Sequence, residues 1–114
     1  MFTTTSAQGI LEKFSGLKIQ ETRKRTEEYV EVVFLSQDLR AWEEKLNEFL
    51  GEPLKKAFKK ASREALAVSK SLGSVQFEQT LYLKIFDEVV LVVMLWPWQD
   101  KKNITLKIAC IKKK

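Results

Sequence analysis

The stretch Gln79-Thr80-Leu81-Tyr82-Leu83-Lys84-Ile85-Phe86-Asp87-Glu88-Val89-Val90-Leu91-Val92-Val93-Met94-Leu95-Trp96, with its continuation Pro97 to Ile111, decides the fold. Gln79 to Phe86, Val89 to Trp96 and Asn103 to Ile111 are rich in β-branched, aromatic and aliphatic residues, as strands are. Only Asp87-Glu88 and Gln99-Asp100-Lys101-Lys102 separate them. Connections this short join antiparallel neighbours, so residues 76–111 predict a three-strand meander.

Alternation sorts these side chains into two faces. Leu81, Leu83 and Ile85 are read together with Val89, Leu91, Val93, Leu95, Ile104, Leu106, Ile108 and Cys110 as an apolar layer for helices to cover. The other face carries Tyr82, Phe86, Val90, Val92, Met94 and Trp96. Its middle strand is apolar where a wetted face would be polar. Something must cover that patch: a second subunit, the N-terminal residues 1–16, or an apolar ligand. Symmetric dimers are the commonest assemblies, so a homodimer interface is the reading adopted.

Upstream, Tyr29 to Leu35 has strand composition and Leu17 to Ile19 hints at a short strand, which places a strand or hairpin in residues 17–35. Glu21 to Glu28 reads as a solvated turn. Residues 36–73 read as two consecutive helices. Leu39, Trp42, Leu46, Phe49 and Leu50 form the stripe of the first, which Gly51 ends. Pro53 suits the start of the second, where Leu54, Ala57, Phe58, Ala61, Ala65, Val68 and Leu72 keep a helical period up to Gly73. Residues 1–16 hold a short amphipathic helix. The whole is a single α+β domain: a four- to five-stranded antiparallel sheet, two helices packed on one face, a short N-terminal helix, and a basic tail at 112–114.

Composition narrows the function. The chain has 114 residues, 45% of them hydrophobic, with a formal net charge of +5 and no histidine. Without histidine there is no Ser-His or Cys-His nucleophile pair and no His-dependent metal site. The sole cysteine, Cys110, lies in the apolar run Ile108–Ile111 and reads as a buried small hydrophobe. The carboxylate pairs Glu27-Glu28, Glu43-Glu44 and Asp87-Glu88 sit in polar turns or helix faces, not in settings that raise a catalytic pKa. No catalytic residue, metal site or cofactor motif emerges. The N-terminus lacks a signal-peptide pattern and no apolar run is long enough to span a bilayer, so a cytoplasmic protein is the expectation.

Two basic features remain. On the expected second helix, Lys55, Lys56, Lys59, Lys60 and Arg63 fall opposite the apolar stripe, a face able to meet phosphates or anionic lipid. The last fourteen residues contain six lysines and no acid. Lys101 and Lys102 follow Trp98, a residue able to stack on a base. The sequence therefore supports a small, soluble, non-enzymatic interaction protein, homodimeric through its apolar sheet face, that binds another protein or a small apolar ligand. A nucleic-acid-binding module using these lysines and Trp98 is the alternative, and an enzyme without histidine chemistry comes third.

Overall fold

In the computed structural model, which describes residues 6–85 and 89–112, strand β4 (Val89–Pro97) is paired along both edges. On one side it meets β3 (Thr80–Ile85), on the other β5 (Asn103–Lys112). Beyond β5 come β2 (Tyr29–Leu35) and β1 (Glu21–Arg25), giving an all-antiparallel sheet of order β1-β2-β5-β4-β3. The helices are α1 (Ala7–Glu12), α2 (Leu39–Leu50) and α3 (Arg63–Ser69). The α+β class, the C-terminal meander and the short N-terminal helix are as the sequence indicates.

One face of the sheet presents Val30, Val32 and Phe34, then Ile104, Leu106 and Ile108, then Leu91, Val93 and Leu95. Both α1 and α2 cover it. Ser6 caps α1 by accepting from the Gly9 amide at 2.9 Å, and Ile10 and Leu11 point into the core. From α2, Trp42 is fully buried; its ring stacks on Phe34 with centroids 4.7 Å apart and meets Phe14 at 5.7 Å. This aromatic cluster buries a large apolar area in that layer.

The β3–β4 half of the opposite face is covered by the same chain. Ala65, Val68 and Leu72, with Leu54, Ala61 and Val75, pack on Leu81, Val92 and Met94. The two helices thus lie on opposite faces of the sheet, not together on one. A strand apolar on both sides needs a cover on each, and the short chain supplies both.

The phase of β3 also differs from the sequence reading. Ile85 pairs with Val90 and Leu83 with Val92, so odd-numbered β3 residues share a face with even-numbered β4 residues. Leu81 and Leu83 therefore join the α3 layer, and Tyr82 turns to the α2 side. There its hydroxyl donates to Asn47 Oδ1 at 2.9 Å. Alternation within β3 could not fix this, because both of its faces carry large side chains.

The charged stretch at 21–25, expected as a turn, is an edge strand with every side chain exposed and a bulge between Thr22 and Lys24. Backbone pairing to β2 holds it, and its charges guard the edge against further pairing.

The largest departure is in residues 52–62. The second helix starts only at Arg63, where Ser62 Oγ accepts from the Ala65 amide at 3.1 Å. Before it, Lys55 pairs as an isolated bridge with Leu81 through N–H···O bonds of 3.1 and 2.9 Å. Edge strand β3 has backbone groups that need partners, and Lys55 supplies them. Its side chain is only 3% exposed. Nζ donates to the carbonyls of Lys56 (3.0 Å), Phe77 (2.6 Å) and Gln79 (2.6 Å). The ammonium thus clamps the 52–62 segment to the loop before β3.

Replacing Lys55 with Ala removes a charged donor shared by three carbonyls and should cost about 2–3 kcal/mol in urea unfolding. Lys56→Ala, at the exposed neighbour, should stay within about 0.5 kcal/mol. Equal effects of the two would contradict the clamp.

Candidate functional site

The second face is open beside α3. Between α3 with its following turn and the far ends of β4 and β5 lies an open, mainly apolar cleft of about 360 Å³. Val68, Lys70 and Ser71 form one wall, and Val90, Val92 and Ile111 the other. Register explains the second wall. Ile85 pairs with Val90 and Val90 with Ile111, so three apolar side chains cross the sheet in one row on one face. The α3 layer reaches Val90, which is partly buried against it, and leaves the two ends of the row exposed. Ile85 is 58% and Ile111 41% exposed, while Val92, one row inward, is fully buried. An apolar row at the mouth of an apolar cleft is a surface that binds by dehydration.

Of the residues expected to form an apolar binding face, Val90 and Val92 line this cleft. Met94 is buried beneath α3. Tyr82 lies on the opposite face, and Phe86 lies outside the described residues. Trp96 packs on the turn after α3: a Cβ at Gly73 would stand 3.0 Å from its ring, and Gly73 has φ +101°. Glycine is required there by both the backbone and the indole.

The expected anion-binding residues do not form one face. Lys55 is consumed by the clamp. Lys56, Lys59 and Lys60 are exposed on the irregular segment outside β3, and Arg63 opens α3. Lys101 and Lys102 sit apart from them in the β4–β5 turn, whose carbonyls accept from Ser36 Oγ at 2.8 Å and the Ser36 amide at 2.9 Å. In that turn Asp100 accepts from the Lys102 amide and the Asn103 side chain, which holds its carboxyl below the usual range. Trp98 is occupied: Arg23 lies over its ring, 5.4 Å from the centroid, and its indole N–H donates to Thr105 Oγ1 at 2.7 Å.

The uncovered part of the same face, over β1, β2 and β5, satisfies itself. Tyr29 Oη donates to Glu31 Oε1 at 2.6 Å, Arg23 reaches Glu31 at 3.9 Å, and Lys107 Nζ stands 3.4 Å from the centre of the Trp96 ring. Burial and the Glu31 hydrogen bond raise the Tyr29 phenol well above its ordinary value. This is a solvated network with its charges already matched.

A second cleft, of about 340 Å³, lies between α2 and residues 52–57 and brings Glu43, Glu52 and Lys56 near Tyr82. Burial, then the Glu43 charge, pushes the Tyr82 phenol up to about 12. It remains a donor to Asn47 at neutral pH and is not a base. Among the described residues no cluster of three or more Cys, Asp or Glu side chains is placed to hold a metal.

Phe58 and Phe77, which the sequence reading did not single out as site residues, are the two most exposed large apolar side chains described. The helical period had placed Phe58 in a core stripe. The signal available was Phe77, alone among polar neighbours between Val75 and Gln79 with no strand or helix pattern to bury it.

No family model, curated protein or solved structure matches the chain.

Cys110 is half-buried at the edge of the α2-side core, and burial pushes its thiol up to about 11 from an ordinary 9.0. At pH 8 the folded protein should react with a disulfide reagent about a hundredfold more slowly than the unfolded chain, from thiolate fraction alone. The sign also fixes a stability trend: the raised folded pKa stabilises below the unfolded value, and that contribution is lost as pH climbs from about 9 towards 11. Equal labelling rates for folded and unfolded chains would refute the burial.

Proposed function

We propose that this chain is a non-enzymatic binding module whose binding surface is the cleft beside α3, and that the partner seated there is a second copy of the chain. The observation that carries the reading is the cross-strand row Ile85–Val90–Ile111, left open at the mouth of an apolar cleft. Burying such a row is favourable by roughly 25 cal/mol for each Å² removed from water. A two-fold axis beside it would set one copy's row against the other's, the self-complementary arrangement of a symmetric dimer. Lys70 and Ser71 in the same wall would supply polar contacts beside the apolar row.

The same geometry lends less support to nucleic-acid recognition through Trp98. Arg23 already covers one face of its ring, and the basic residues are split between two places. Enzymatic turnover finds little support in the hydrogen-bonded pair of Tyr29 with Glu31, because burial and the Glu31 hydrogen bond raise the phenol well above its ordinary value and it stays protonated at neutral pH.

Sedimentation velocity over a concentration series tests the proposal. The expected result is a mass that rises from monomer to dimer in the micromolar range. Ile85→Lys/Ile111→Lys should stay monomeric at every concentration with an unchanged thermal midpoint, because both side chains are exposed in the single chain. A wild-type monomer at high micromolar concentration would remove the second copy as partner.

A further inference from the structure

Residues 52–62 and 74–79 meet at a small knuckle outside the edge strand. The Phe58 amide donates to the Phe77 carbonyl at 2.7 Å, and the two rings pack edge to face with centroids 6.0 Å apart. The Lys55 ammonium fixes the base of the knuckle through the Phe77 and Gln79 carbonyls. The tip is left in water: Phe58 is 66% and Phe77 60% exposed. Phe58 also holds φ +62°, a left-handed conformation unfavourable for a bulky side chain. The loop thus presents two phenyl rings outward that touch each other but remain mostly in water, at a strained backbone position. Such an outlier points to a function outside the chain.

The surroundings carry a small excess of positive charge. Lys56, Lys59, Lys60 and Arg63 are all exposed, and among the described residues no ion pair engages them. Glu52, Glu64 and Glu78 are exposed in the same stretches, so with Lys55 buried in the clamp the exposed cations exceed the acids by four to three. The matching surface is apolar within and negative around: a bilayer bearing anionic headgroups.

We infer that the Phe58–Phe77 knuckle and its lysines form a docking tip for anionic lipid bilayers. Phenyl rings enter the interfacial region, and the lysines remain at headgroup level, the arrangement of peripheral membrane anchors. Single-stranded nucleic acid shares the charge but fits the rings less well. Bases stack on open, parallel ring faces. Here the edge-to-face contact closes one ring face, and the Lys55 ammonium stands 5.8 Å from the centre of the Phe77 ring. This site is separate from the cleft beside α3, so either proposal can fail without the other.

The test is co-sedimentation of the full chain with vesicles of phosphatidylcholine containing about 30% phosphatidylserine, with pure phosphatidylcholine vesicles, and with an oligothymidylate in parallel. Binding should appear on the anionic vesicles, fall steeply with added salt, and be weak on pure phosphatidylcholine. Phe58→Asn/Phe77→Ser should reduce it about tenfold or more, since both apolar anchors are lost. That variant should fold at least as well as the wild type, because both rings are exposed and Asn tolerates the left-handed backbone. Three results would overturn the inference: no binding to anionic vesicles, equal binding by the double variant, or capture of the oligothymidylate at a salt concentration where vesicles are ignored.

Discussion

Strand β4 is apolar on both faces, and the rest of the molecule is arranged to cover it. Leu91, Val93 and Leu95 look one way and Val92 and Met94 the other, all of them buried. A central strand of this kind cannot sit at a water boundary, so a layer is needed on each side. The first layer, α1 and α2, is built around Trp42 on Phe34. The second is thinner, since α3 is seven residues long and covers only the β3–β4 half of its face. The cleft, and the exposure of Ile85 and Ile111 on either side of Val90, follow from a second layer that runs out before the strands do.

The meander, the dry middle strand and the need for a cover on its second face are legible in the sequence. They follow from composition and from the short polar connections alone. What escaped lay in the backbone. Helical periodicity counts side chains and has no record of an edge strand whose amides and carbonyls need partners. Lys55 answers that need and ends the helix pattern before it starts, although Leu54, Ala57, Phe58 and Ala61 keep the period. The edge strand Glu21–Arg25 was hidden for the converse reason: it buries no side chain, so no alternation marks it. The candidate site was legible only in part. Val90 and Val92 were identified on the right face, but Tyr82 was not, because the pairing of Ile85 with Val90 sets the phase of β3.

The unexpected course of residues 52–62 also redistributes the charge. On a regular helix, five cations would have shared one face. Here Lys55 turns inward and becomes a structural clamp, while its neighbours stay exposed on the segment that carries Phe58. One local choice, an edge-strand bridge in place of a helical turn, therefore converts a generic basic face into an aromatic tip. It also frees α3 to close over Met94 and Val92. Both proposed surfaces depend on it.

Backbone chemical shifts and methyl contacts from solution NMR test this account most directly. Helical 13Cα shifts should begin at Arg63 and be absent from 54–61, and the Ala65 methyl should show contacts to Met94 or Val92. A continuous helical signature from Leu54 to Leu72, or α3 methyl contacts to Phe34 and Trp42 in place of the β4 residues, would contradict it.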